Sequence, residues 1–335
     1  MPSIDFAVIG THHAHVYDIV DGLIAAGARL AGFAGDDEAG NAAFAARYAG
    51  ARREKGAASI LAREDVQAVV VCGLPSERAD VACKAMRAGK DVIVDKPPAV
   101  TAGQLADVRR TQGETGQRFL VVFGELLSGA LAKALELYRE GRIGELVSVA
   151  GMAPHLLGEG RPEWFYDSAR NGGLLVDIGC HQIAQFLTIT ADPAAELVDA
   201  SIACFGGRDG FFDSGDIVLR SRRVRGYARV DWMTPDGLGE WGDVRTMITG
   251  TKGYLDVRKT VDIGRPESWD VLYVVDSRGI ERIECEHAPP DFYSKLIADV
   301  HDRTDRSIPH EISFRTMELA IRAQEFAESR WPCIR

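Results

Sequence analysis

A short apolar strand, Asp91 to Val94, runs into Asp95-Lys96-Pro97-Pro98. An ammonium group at the carboxyl end of a parallel strand sits where ligands of such sheets bind. An X-Pro bond is the one peptide that adopts cis at low cost, so the Lys96-Pro97 turn can aim that side chain. The chemistry on offer is stabilisation of negative charge developing on a substrate oxygen; the plainer alternative is a solvated lysine on a proline-ended strand. Further along, Asn171-Gly172-Gly173 opens a helical segment in which Asp177 and His181 stand four residues apart, on one face of a helix. An imidazole oriented by a neighbouring carboxylate is a general acid/base, and the same spacing is also that of a helix-stabilising ion pair.

A third segment follows the first strand: Gly10-Thr11-His12-His13-Ala14-His15. A dinucleotide-binding turn reads G-x-G-x-x-G because backbone amides must approach a pyrophosphate with no side chain between them. Here only the first glycine is kept, with His12 at the position of close approach and His15 at that of helix packing. Taken as metal ligands, His12, His13 and His15 converge poorly and no local carboxylate or thiolate joins them, so no metal is expected. Asp36, just past Gly35 at the end of the second strand, can reach a ribose 2′-hydroxyl or simply cap the next helix. No basic residue beside it offers to hold a 2′-phosphate, which favours NAD over NADP.

The elements that must position these groups alternate at first. Strands at 4–9, 28–34, 66–72, 91–94 and 119–123 are separated by helical patterns: one to Ala26 with Val16, Ile19, Val20, Leu23 and Ile24 on one face, one to Tyr48, one at 76–88 and one capped by Thr101. That rhythm implies a doubly wound parallel sheet of the Rossmann type. Beyond residue 124 come a helix at 130–140, a strand at 146–152, a glycine-led helix at 174–189 and strands at 197–205, 215–221, 226–233, 244–249, 271–276 and 279–285. Alternation such as YARVDW and glycine-containing turns give an α+β domain with a large, mostly antiparallel open sheet. Helices at 292–303 and 311–329 close the chain. The expected domains are 1–123 for the dinucleotide, 124–310 for substrate and oligomerisation, and 311–335 as a helix packing back on the first.

Composition excludes several other classes. The formal net charge is -10, with 39 basic against 49 acidic residues and no basic run, so nucleic acid and anionic membrane surfaces are poor partners. No apolar run approaches the ~18–20 residues that span a bilayer. The opening residues enter a strand pattern without a targeting segment, which makes the cytoplasm the expected compartment. The six cysteines (Cys72, Cys83, Cys180, Cys204, Cys285, Cys333) show no C-x-x-C pair and are expected to be reduced, most of them as small buried hydrophobes.

A nucleotide-binding first domain, a strand ending in [ED]-K-P, and GG-x-x-x-D-x-G-x-H opening a helix in an α+β second domain resemble the Gfo/Idh/MocA oxidoreductase family over nearly the whole chain. The resemblance implies NAD or NADP as cofactor, hydride transfer at a carbinol carbon of a sugar, inositol or related polyol, and homodimers or homotetramers formed through the open face of the second sheet. It implies that Lys96 matches the family lysine near substrate and nicotinamide, and that Asp177 and His181 match the acidic and acid/base residues of inositol dehydrogenase-like members. The departures are the GTHHAH turn, Gly35 in place of the usual acid, and Gly73-Leu74 and Arg78 in place of a Thr-Pro and a His after strand three.

The cofactor-binding set expected at the strand ends is Gly10, Thr11, His12, His13, Asp36, Cys72, Gly73, Leu74, Asp95, Lys96 and Pro97. His155, Arg161, Trp164 and Tyr166, just ahead of the double glycine, offer aromatic faces and a guanidinium to a polyhydroxylated ligand, although Trp164 and Phe165 also read as a packed loop. In the expected mechanism His181 takes the hydroxyl proton, Lys96 hydrogen-bonds the same oxygen, and Asp177 orients His181 or binds a neighbouring hydroxyl. The alternative from another class is a non-catalytic protein of the same fold that senses a nucleotide or sugar. A further one keeps the fold but recycles its cofactor internally or eliminates at a keto-sugar.

Overall fold

Buried β-branched runs such as Val69-Val70-Val71 leave a strand no polar face, so it is stable only between two layers of helix. The computed structural model describes residues 3–206, 208–267, 269–286 and 291–331. Its contacts divide the chain into two units, one of Met1–Val122 with Asp291–Met317, the other of Phe123–Pro290 with Glu318–Arg335.

In the first unit the elements run β1 (Asp5–Ile9), α1 (His15–Ala25), β2 (Arg29–Ala34), α2 (Glu38–Arg47), α3 (Ala57–Leu61), β3 (Ala68–Val71), α4 (Pro75–Arg87), β4 (Asp91–Asp95), α5 (Ala102–Thr115) and β5 (Phe119–Val122). The five strands are all parallel, in the order β2-β1-β3-β4-β5. Ile9 pairs with Val71 and Val71 with Val94, so the chain leaves β1, β3 and β4 at one edge, at Gly10, Cys72 and Asp95. α1 buries Val16, Ile19, Val20 and Leu23 as its periodicity requires, but Ile24 is 42% exposed, one step beyond the buried stripe. Thr101 caps α5 by accepting from the Gln104 N–H, as its side-chain oxygen allows.

The second unit holds α6 (Gly129–Arg139), β6 (Leu146–Pro154), α7 (Ser168–Asn171), α8 (Leu174–Asp177), α9 (Gly179–Thr190), β7 (Glu196–Ala203), β8 (Ser214–Ser221), β9 (Val224–Asp231), β10 (Val244–Gly250), β11 (Gly253–Lys259), β12 (Val271–Asp276) and β13 (Gly279–Glu284). These strands form one sheet in the order β13-β12-β11-β10-β6-β9-β8-β7, antiparallel except for β6 beside β9. α9 covers β6 and β9, and α6 covers β11 and β12. Met152, Tyr227, Met247 and Tyr254 are exposed. Two last helices follow, α10 (Phe292–Asp302) in the first unit and α11 (His310–Arg330), whose first turns belong to the first unit and whose remainder belongs to the second.

Two expectations are corrected. The helix read at 174–189 is broken at Ile178: the His181 N–H turns back to the Ile178 carbonyl, three residues away, while the Asp177 carbonyl receives the Cys180 thiol. Glycine at 179 lets the break lie against β8, since a Cβ there would stand 2.8 Å from Ile217 Cδ1. Cys72, Cys83, Cys180 and Cys285 are free thiols, whereas Cys204 is disulfide-bonded, against the expectation of reduced cysteines throughout; Cys333 lies outside the described residues. Among the described residues no helix is long and apolar enough to cross a membrane.

Candidate active site

The turn after β1 depends on glycine at one point above all. Gly10 has φ +89°, and a Cβ on it would stand 2.3 Å from the Gly73 nitrogen, so the main chains leaving β1 and β3 touch there. A cleft opens at this edge, lined by Gly10, Gly35, Asp36, Lys55, Gly73 and Glu77 among others. A Cβ on Gly35 would meet Asn41 Oδ1 at 2.7 Å and Thr11 Oγ1 at 3.1 Å, so an acid there would require the Asn41 side chain to move. Asp36, one residue on, is reached by His12 Nε2 at 3.4 Å, so the imidazole in the glycine position leans toward that carboxylate. The Thr11 hydroxyl donates to Asn41 Oδ1 at 3.0 Å, and Cys72 and Leu74 are buried. Lys55 and Glu77 went unseen in the sequence; Lys55 puts a cation into the cleft that holds Asp36, which weakens the argument for NAD alone.

Beside the cleft the β4 end forms a buried charged knot. Lys96 is 5% exposed, and the Lys96-Pro97 bond is cis. Asp95 Oδ1 lies 3.0 Å from His15 Nδ1 and Asp95 Oδ2 lies 2.9 Å from Arg78 Nη2, with His13 Nδ1 3.9 Å from Oδ2. Burial would push the Asp95 carboxyl up, but the Arg78 guanidinium, with His15 and His13, outweighs it and holds the group well below the usual carboxylate range. Burial holds the His13 imidazole well below its ordinary value, reinforced by His15 and by the Arg78 and Lys96 charges against the opposing pull of Asp95. The His13 Nδ1 accepts the His15 N–H at 3.3 Å, which starts α1 without a side-chain cap from Ala14. Three potential ligand atoms, from His13, His15 and Asp95, lie within 4.8 Å of one another. The carboxylate absent from the local sequence thus arrives from β4. Its two oxygens are already engaged by His15 and Arg78, which makes this an ion-paired network.

In the second unit the double glycine turns on itself. Asn171 Oδ1 accepts the Gly173 N–H at 2.6 Å, Asn171 Nδ2 donates to the Phe165 carbonyl, and Gly172 and Gly173 take φ of 93° and 84°. The Leu175 N–H donates to Gln324 Oε1 of α11 at 2.9 Å, satisfying a donor at the start of α8. Asp177 ends α8 and His181 lies in the first turn of α9, on either side of the break. Asp177 lines a small cavity with Tyr166, Asn171, Phe211, Phe212 and Trp232. His181 is 4% exposed, with its ring 6.4 Å from that of Phe123. Gln182 and Gln185, on the same helix, donate to the buried Glu125 carboxylate, anchoring α9 from beneath.

The segment expected to meet substrate is only partly gathered here. Arg161 lies over the Phe165 and Trp232 rings at 4.6 and 5.5 Å and donates to the Leu157 and Leu156 carbonyls. Burial lowers its guanidinium pKa, opposed by Asp177 and Tyr166, so these three groups are electrostatic neighbours. Tyr166 carries Arg208 3.6 Å above its ring. His155 packs against Trp232 and Trp241, its Nδ1 3.1 Å from the Ala153 carbonyl, and Trp164 packs on the edge of Phe165. The structure therefore brings together Asp177, Tyr166 and Arg161, with His155 behind Trp232.

Two family models match this architecture. An oxidoreductase-family model with an NAD-binding Rossmann fold covers residues 4–123, and the GFO/IDH/MocA C-terminal domain covers 131–256. A solved structure described as an oxidoreductase of Erwinia carotovora atroseptica is 36% identical over 97% of this chain and 98% of that one, with a TM-score of 0.94. The chain belongs to the Gfo/Idh/MocA oxidoreductase family. Its first unit is that family's NAD-binding Rossmann fold and its second the α+β domain with the eight-stranded sheet. D-xylose dehydrogenase of Paenarthrobacter nicotinovorans is 30% identical over 37% of this chain and 33% of its own length. Inositol 2-dehydrogenase of Rhizobium meliloti is 29% identical over 49% of both. The match thus spans at most about half of these relatives. The 3-ketoreductase KijD10 of Actinomadura kijaniata, solved with NADP and TDP-benzene, shares the fold at 22% identity, 97% coverage of this chain and 98% of that one, and a TM-score of 0.78.

Proposed function

We propose that this oxidoreductase transfers hydride between a nicotinamide dinucleotide and a carbinol carbon of a sugar, inositol or related polyol. The observation that carries the reading is Lys96, buried beside the histidine-bearing turn at the edge where β1, β3 and β4 end. The bare Gly10–Gly73 contact and the cleft with Asp36 and Lys55 fit a dinucleotide: a Cβ would fill the approach at Gly10, and both a carboxylate for a ribose diol and a cation for a phosphate are present. The bound nicotinamide would supply the hydride acceptor or donor. Gly10, Gly73, His12 and Asp36 would hold the dinucleotide, with Thr11, His13, Cys72, Leu74, Asp95 and Pro97 shaping the turns around it.

In this reading Lys96 donates a hydrogen bond to the reacting oxygen, His181 takes or returns its proton, and Asp177 orients the imidazole or binds an adjacent hydroxyl. Arg161 and Tyr166 bind further hydroxyls, with His155 and Trp164 supporting them. The exposed Met152, Tyr227, Met247 and Tyr254 on the second sheet serve a homodimer or homotetramer. The test is a panel of inositols, aldoses and sugar acids with NAD and NADP. Turnover that falls at least about 100-fold in Lys96→Ala and in His181→Ala, with dinucleotide binding retained, supports the assignment. Full activity in both overturns it, and failure to bind either dinucleotide leaves the sensing alternative.

A further inference from the structure

The Arg78 side chain is wholly buried, and none of the chemistry above uses it. Its Nε donates to the Gly73 carbonyl at 2.9 Å. Its Nη1 faces the Asp95, Lys96 and Pro97 carbonyls at 3.1, 2.5 and 3.3 Å, and its Nη2 meets the Asp95 carboxylate at 2.9 Å. They lie where β4 ends at Asp95: beyond it the ladder with β3 and β5 does not continue, and Pro97 and Pro98 bring no N–H of their own. Buried acceptors without donors are costly, and only a planar fork of five N–H donors reaches several of them from one side chain. A lysine at position 78 would offer a single ammonium on a flexible stem.

We propose that Arg78 is a positioning residue: it fixes the turn that carries Lys96 by tying the Asp95, Lys96 and Pro97 carbonyls to the Gly73 turn of the dinucleotide cleft. Asp95 completes the device. Its carboxylate compensates the buried guanidinium and is itself held by His15, so the histidine-bearing turn and the Lys96 turn share one ion-paired joint. The inference rests on the role proposed for Lys96.

The first test needs no substrate: amide hydrogen exchange of the full chain, comparing wild type with Arg78→Lys and with Arg78→Gln, which keeps a donor but removes the charge. Exchange in the peptide spanning 93–102 is expected to rise at least about tenfold while that in β1 and β3 stays unchanged. Unchanged exchange in that peptide, or equal acceleration across the first unit, overturns the proposal. The second test is a double-mutant cycle with D-xylose and myo-inositol as probes. Arg78→Lys is expected to lower kcat about 100-fold with KM for the probe and dinucleotide affinity within about twofold, as a misplacement of roughly 1 Å does. It is expected to cost nothing further in the Lys96→Ala background. An equal loss in both backgrounds means that Arg78 does not act through Lys96. Full activity of Lys96→Ala itself refutes the role of Lys96 and leaves the exchange result standing alone.

Discussion

Gly10→Ala is the substitution whose consequence follows most directly from geometry. The new methyl group would stand 2.3 Å from the Gly73 nitrogen, 2.4 Å from its Cα and 3.0 Å from the Cys72 carbonyl carbon. An ordinary contact needs about 3.4 Å or more, so the ends of β1 and β3 would have to part by roughly 1 Å; both are interior strands of a packed sheet and resist that. The backbone also sits at φ +89°, where an L side chain costs about 1–2 kcal/mol before any clash. Together the two effects predict a loss of about 2–4 kcal/mol from the first unit. Because the displaced atoms form the floor of the cleft, NADH and NADPH affinity should fall by at least about tenfold. Urea unfolding followed by intrinsic fluorescence, and quenching titrations with both dinucleotides, measure the two quantities. Gly103→Ala is the control: nothing lies within 4 Å of its Cβ position, and on α5 alanine should be neutral or stabilising. A Gly10→Ala protein with wild-type stability and affinity would refute the claim that this contact builds the cofactor edge.

Other outcomes follow from the same structure. Asp95→Asn leaves Arg78 without its buried counter-charge and should cost about 3–5 kcal/mol in urea unfolding at neutral pH. Since the folded-state pKa of Asp95 is depressed, its contribution is complete above the unfolded carboxylate value and is lost only as pH falls through the folded one, so the wild-type to Asp95→Asn gap should hold constant from pH 8 to about 5. His13 is also depressed, chiefly by burial, so the chain binds more protons unfolded than folded below the ordinary imidazole range; stability should decline as pH drops from about 6.5, and His13→Asn should flatten that slope. Gln324→Ala strands the Leu175 N–H and should destabilise the second unit by about 1–3 kcal/mol, read by urea unfolding. Lys55→Gln should weaken NADPH more than NADH, read by competitive titration; equal weakening would detach Lys55 from the phosphate.

The parallel sheet was legible because its strands are buried on both faces, and a run such as Val69-Val70-Val71 admits few other readings. The place of Lys96 at the end of β4 was legible by residue type, whereas the single helix face read for Asp177 and His181 was not kept, because the chain breaks between them at Ile178. β11 was missed even though Gly253–Lys259 alternates Tyr, Asp and Arg with Leu and Val, the same period-two pattern that marks YARVDW. The break at Ile178 was hidden because apolar positions continue through it, and what decides it is the approach of Gly179 to Ile217 on a distant strand. The work of Arg78 had no local signal, since three of its acceptors lie 17 to 19 residues away. The partnership of His13 and His15 with a carboxylate was missed for the same reason: Asp95 is 80 residues from His15. Lys55 enters the cleft from the loop before α3, a helix of 5 residues too short to carry a periodic pattern.

The central claim is that Lys96 and His181 act on one carbinol in the presence of a bound nicotinamide. The direct measurement is the rate of nicotinamide reduction by wild type, Lys96→Ala and His181→Ala with each inositol and aldose of the panel, alongside dinucleotide affinity of the same three proteins. Wild-type turnover of at least one polyol, lowered at least about 100-fold in both variants while dinucleotide binding stays within about twofold, is the result predicted. Bound dinucleotide with undiminished turnover in either variant would contradict it.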